Sequence, residues 1–92
     1  MQFQWDAPNT LHIALHNITP QEVEQVFDNG PFDLELQNFN DEDRFTLVGE
    51  TDHGRILVVV AMWAGDLLRP ITAWDAPKSI KTGYIQQKGS PP

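Results

Sequence analysis

Ninety-two residues, 40% of them hydrophobic, are enough to bury one core and too few for two. The lack of cysteine excludes disulfides, thiolate zinc sites and a cysteine nucleophile. Of the net charge of −7, the first 43 residues contribute −9 (nine acids, no lysine or arginine) and the rest +2 (six basic residues, four acids), a balance that argues against unaided, non-specific nucleic-acid binding.

Met1-Gln2-Phe3-Gln4-Trp5-Asp6 has neither a basic region nor a long apolar run, so no signal peptide is expected and a cytoplasmic location is. Phe3-Gln4-Trp5 alternates and predicts a short edge strand. Asn9 reads as the cap of a two-turn helix from about Thr10 to His16, with Leu11, Ala14, Leu15 and Ile18 as the stripe facing a sheet and Asn17 as a left-handed stop. Thr19-Pro20-Gln21-Glu22 combines a cap residue, a proline at the first helical position and a glutamate at the third. This capping box starts a second helix whose buried stripe is Val23, Val26 and Phe27 and which ends at Asn29-Gly30-Pro31.

Phe32-Asp33-Leu34-Glu35-Leu36 alternates as a half-buried strand does, and Gln37 to Asp43 reads as a solvated loop. Arg44 to Glu50 is the next strand. Arg55 to Trp63, with three successive valines, is too short for a membrane helix and reads as a central strand covered on both faces. Turns at Thr51-Asp52-His53-Gly54 and Gly65-Asp66 join it to Arg44–Glu50 and to Leu67–Trp74 in an antiparallel meander, and Pro70 requires an edge position or a bulge in the last strand. Asp75-Ala76-Pro77 opens a short final helix with Ile80 and Tyr84 on one face, and Gln86 to Pro92 reads as a disordered tail. The expected fold is α+β: two short N-terminal helices on a small antiparallel meander sheet, then a short C-terminal helix, in one domain over residues 1–85.

Little in the spacing carries chemistry. His12 and His16 stand four apart, as in half of a metal site, yet no third ligand has recognisable spacing. Asp41, Glu42 and Asp43 read as a solvated run, and Thr51-Asp52-His53 lacks a nucleophile. No metal or cofactor is expected. The remaining candidates are Arg44, Arg69, Lys78, Lys81 and Tyr84, which would clamp a phosphodiester and supply a proton if the strands brought the arginines to one face and the last helix placed Tyr84 beside them.

The order Phe3-x-Trp5-Asp6, Asn9, His16-Asn17-Ile18-Thr19, Glu22 to Phe27-Asp28, Arg44, Gly49, Leu57-Val58-Val59-Val60, Arg69-x-Ile71-Thr72-Ala73 and Tyr84 resembles the BrnT family, small toxins of bacterial toxin–antitoxin pairs with a RelE-like ribonuclease fold. The resemblance covers nearly the whole chain. It implies metal-independent RNA cleavage, a cognate antitoxin as partner and an RNA substrate, with Arg44 and Arg69 as phosphate clamps and His16 or Tyr84 in proton transfer. The chain departs from the family at Leu15, where a lysine is usual, at Pro8 in place of a basic residue, at Trp74 in place of an arginine and at Ile80 in place of a glutamate. Those losses thin the basic groups that stabilise charge on phosphorus. A second expectation, of another class, is a member without catalysis that binds protein through its acidic helical layer, with Trp5, Trp63 and Trp74 as anchors.

Overall fold

The computed structural model of the chain describes residues 1–34 and 43–89. Helices α1 (Ala7–Ala14) and α2 (Pro20–Asp28) precede strands β1 (Phe32–Asp33), β2 (Arg44–Glu50), β3 (Ile56–Ala64) and β4 (Leu67–Asp75), and α3 (Lys78–Gly89) closes the chain. The sheet is antiparallel in the order β1-β2-β3-β4, the expected α+β meander with the valine-rich strand inside. Glu35 and Leu36 of the expected strand, and residues 37–42 of the stretch expected as a loop, lie outside the described residues.

The alternation of β3 divides the core in two. Leu57 and Val59 face one way, with Ala73 of β4, and pack against Ile13, Ile18, Val23 and Val26 from the helical layer. Ile56 points the other way and packs with Val48 and Tyr84, flanked by Phe32 and Ile80. Both faces of β3 are therefore covered, which is why an unbroken apolar run, and not an alternating one, is stable there. Each fully buried valine or leucine contributes about 1.5–3 kcal/mol.

The proline in β4 is accommodated in both of the ways its chemistry allows. The pairing slips between Val60 and Ala61, so that Val60 faces Thr72, Ala61 faces Pro70, and Ile71 is the extra residue of a bulge. β4 also lies at the edge of the sheet, and Phe3 forms an isolated parallel bridge to Leu68 along it, with Gln4 N–H donating to the Leu68 carbonyl at 2.9 Å.

α2 follows its sequence signals closely: Thr19 Oγ1 accepts from Glu22 N–H at 3.2 Å, Glu22 Oε1 accepts from Thr19 N–H at 3.0 Å, and Val23 and Val26 are buried. α1 does not. It begins at Ala7 with Asp6 as its cap, and Asn9 is the third helical residue, its side-chain oxygen returning to Asp6 N–H at 2.9 Å. The buried residues are Asn9 and Ile13, whereas Leu11 and Leu15 are 66% and 81% exposed, so the stripe of Leu11, Ala14 and Leu15 does not face the sheet. The cause is the Asn9 amide, which donates to the carbonyls of Gln4 (3.0 Å) and Pro70 (2.9 Å) and so sets the rotation of the helix. Asn17 has φ of 58°, the left-handed stop its type suggests. α3 runs through Gly89, so Gln86 to Gly89 are helical where composition suggested disorder.

Candidate functional site

Arg69 sits on β4 beside the start of α1. Its Nη1 donates to Asp6 Oδ2 at 2.7 Å and to Gln4 Oε1 at 3.2 Å, and Nη2 donates to Asp6 Oδ1 at 3.2 Å. The hydrogen bond from Arg69 holds the Asp6 carboxyl below the usual range, and the same bond raises the guanidinium. Arg69 also lines an open cleft of about 180 Å³ with Pro8, Asn9, His12 and Ile71. Ile71 is the bulged residue, so the irregularity forced by Pro70 shapes this cleft.

Arg44 opens β2. Arg44 and Arg69 both pair in register with Met62 of β3, one from each side, which aligns the two arginines in a row across the sheet. With strands roughly 4.8 Å apart, their Cα atoms stand about 10 Å apart.

Tyr84 is elsewhere. It is 4% exposed, packed with Val48 and Ile56, and its hydroxyl donates to Glu50 Oε1 at 3.2 Å. Burial pushes the phenol up. Lys88 pairs with the same Glu50 carboxylate and stands over the Tyr84 ring at 5.9 Å, beside an open cleft of about 430 Å³ lined by Asn29, Glu50, Thr51, Asp52 and Lys88. Glu50 pairs with Ile56, six residues along β3 from Met62, or roughly 20 Å. The structure thus brings Arg44 and Arg69 to one end of the sheet and does not bring Tyr84 to them.

His16 is exposed, in the linker between α1 and α2, and belongs to the same end as Tyr84 but to the opposite layer. It is part of a cluster that the sequence reading missed. Arg55, immediately before β3, donates from Nε to Asp75 Oδ1 at 2.8 Å and from Nη2 to Asp75 Oδ2 at 3.0 Å and the His16 carbonyl at 3.0 Å. Its Nη1 donates to the Asn17 carbonyl at 2.7 Å and to Glu22 Oε2 at 3.2 Å. The bonds to Asp75 and then Glu22 raise the guanidinium. Arg55, with His16 and Lys81 as smaller influences, holds the Asp75 carboxyl below the usual range. The signal for this cluster lay in pairing and not in spacing: Arg55 precedes Ile56 and Leu57 pairs with Asp75, so the two charges meet only once the strand register is known.

Among the described residues no group of three or more histidine, cysteine, aspartate or glutamate side chains is arranged to hold a metal ion. Also among the described residues, no helix is long and apolar enough to cross a membrane.

A family model described as "Ribonuclease toxin, BrnT, of type II toxin-antitoxin system" matches residues 5–79, a span that includes Arg44, Arg69 and His16 and stops short of Tyr84. No curated protein matches the chain.

Proposed function

We propose a function from the premise that this chain belongs to the BrnT family of ribonuclease toxins of type II toxin–antitoxin systems: it is a metal-independent endoribonuclease of low intrinsic rate, held by an antitoxin protein. In such a reaction the ribose 2′-hydroxyl attacks the adjacent phosphorus and gives up its proton to a base. The P–O5′ bond breaks as the 5′-oxygen takes up a proton, leaving 2′,3′-cyclic phosphate and 5′-hydroxyl ends. Nothing is oxidised or reduced. The protein supplies proton transfer and charge stabilisation on the phosphoryl oxygens.

The observation that carries this reading is the row Arg44, Met62, Arg69. Two guanidiniums rooted about 10 Å apart can reach a single phosphodiester from either side, with the planar, forked donors that suit it. Proton transfer is assigned to His12, which lines the cleft beside Arg69; His16 lies with Tyr84 at the opposite end of the sheet, roughly 20 Å along β3 from the row. Tyr84, buried and bonded to Glu50, is assigned to packing the C-terminal helix.

The low rate follows from Asp6. Its carboxylate occupies Arg69 at 2.7 and 3.2 Å in the manner of a phosphate, so RNA must displace an internal competitor. Pro8, Leu15 and Trp74, where the family carries basic groups, leave fewer donors to repay that exchange. The test is a cell-free translation assay with the purified protein, with messenger RNA integrity read by primer extension. Wild type is expected to cut; Arg69→Ala should lose roughly a hundredfold in rate. Asp6→Asn, which keeps a good helix cap while removing the competing charge, should gain several-fold, about the effect of 1 kcal/mol. Wild type inert at about 10 μM, a usual range for KM, would overturn the reading.

One observation favours a second reading, a module that binds protein without cleaving RNA. Leu11 on α1 and Leu15, its C-cap residue, are 66% and 81% exposed, on the acidic half of the chain. An apolar pair with acidic surroundings suits a basic amphipathic partner. An inert wild type that still binds its antitoxin would select this reading.

A further inference from the structure

His12 and Arg69 line one cleft but belong to different layers, His12 to α1 and Arg69 to β4, so their spacing depends on what joins the helix to the strand. Two polar ties do so. Asn9, 3% exposed and one helical turn before His12, donates from Nδ2 to the Pro70 carbonyl at 2.9 Å, and Pro70 stands between Arg69 and Ile71, both of which line the cleft. The same amide donates to the Gln4 carbonyl at 3.0 Å, and its oxygen accepts from Asp6 N–H at 2.9 Å. The second tie runs through Asp6, whose Oδ1 accepts from Asn9 N–H at 3.3 Å and from Arg69 Nη2 at 3.2 Å.

Substrate affects the two ties differently. A phosphate that takes Arg69 replaces Asp6 and breaks the second; the Asn9–Pro70 bond does not involve the guanidinium and stays. We infer that Asn9 is the positioning residue of His12, holding α1 to the bulge of β4 so that His12 stays beside Arg69 while Arg69 holds phosphate. The inference rests on the reading of His12 as the proton-transfer group. Residues three apart on a helix share a side, so the rotation that buries Asn9 also sets His12 at the cleft and turns Leu11 and Leu15 to solvent. The apolar contact that α1 makes through Ile13 cannot fix this rotation, because burial of apolar surface is non-directional. Two N–H donors aimed at two carbonyls can. A proton-transfer group contributes only in the correct geometry, and a displacement near 1 Å costs about a hundredfold in rate.

The experiment compares wild type, Asn9→Ala, His12→Ala and the double variant in cleavage of a short RNA, at a temperature where circular dichroism shows each of them folded. His12 imidazole signals are followed by NMR in wild type and Asn9→Ala, with the exposed His53 as reference. Asn9→Ala should lower kcat by about tenfold to a hundredfold, with KM unchanged within about twofold. It should have little further effect in the His12→Ala background, since both then remove one function. It should also broaden or shift the His12 signals and leave those of His53 in place. Two results would each overturn the inference: equal loss in both backgrounds, as a purely structural role predicts, or unchanged His12 signals. If wild type cleaves no RNA, the reading of His12 as the proton-transfer group fails by itself, and the imidazole signals still decide whether Asn9 positions that side chain. Should Asn9→Ala fail to fold, Asn9→Asp keeps an oxygen for Asp6 N–H and suits the helix N-terminus while removing both N–H donors, and the same signals and rates are read on it.

Discussion

Asn9 shows how much of this fold rests on single polar side chains. It is 3% exposed, and its one amide serves three backbone groups: Asp6 N–H and the carbonyls of Gln4 and Pro70. Those bonds join the N-terminal segment, the first turn of α1 and the bulge of β4, and they decide which face of α1 meets the sheet. Replacing Asn9 by alanine leaves two carbonyls in a dry setting without their donor, so Asn9→Ala should cost about 2 kcal/mol, read as a lowered urea midpoint at unchanged slope. Arg55 and Arg69 are of the same kind. Each arginine links the sheet to a backbone or carboxylate of the helical layer, Arg55 to Glu22 and Arg69 to Asp6.

At the scale of elements, helix α2 and strand β2 approach so closely that no side chain fits between them. A Cβ at Gly49 would lie 2.9 Å from Val26 Cγ1 and 3.0 Å from Pro31 Cβ. Proline and a buried valine have little freedom to withdraw, so Gly49→Ala should destabilise by about 1–3 kcal/mol through overpacking, measured by thermal or chemical unfolding. That Gly49 sits in a strand at all, where glycine is costly, has its explanation in this contact. The bulge at Ile71 is the second element-level device. By displacing one residue it resolves the conflict between Pro70 and the β3 ladder, and it opens the cleft that Arg69 and His12 share.

Over the whole molecule, charge binds the two layers. The acidic residues dominate the first 43 positions, and among the described residues Arg55 and Arg69 carry ion pairs from the sheet to Glu22 and Asp6. Asp75, held by Arg55, and Asp6, held by Arg69, both have carboxyls below the usual range when folded. The unfolded chain therefore takes up protons more readily. This stabilisation is complete above the ordinary aspartate range, about pH 4–5, and is lost as the pH falls through the lower values of the folded state. The melting temperature should fall between about pH 4 and pH 2, and the Asp75→Asn variant should lose less over that window than wild type does. A wild-type melting temperature that stays level through this range would show that these pairs contribute nothing to acid stability.

Much of the fold was legible in local signals. The capping box at Thr19-Pro20-Gln21-Glu22, the valine run of β3, the meander turns, the proline-driven irregularity of β4 and the left-handed Asn17 all depend on residues within a few positions of one another, so the sequence suffices to find them. The resemblance to the toxin family is likewise a matter of residues in order, and the match over residues 5–79 agrees with it. Three things were decided only in three dimensions. The rotation of α1 was set by Asn9 reaching Pro70, 61 positions away, and not by its leucines. The partners of Arg69 and Arg55 lie 63 and 20 positions off, at Asp6 and Asp75, so neither ion pair leaves a trace in spacing. The separation of Tyr84 from Arg44 and Arg69 follows from the register and layer order of the sheet. Hydrophobic period and capping act along the chain; hydrogen bonds and charges between distant segments act only after the chain has closed on itself.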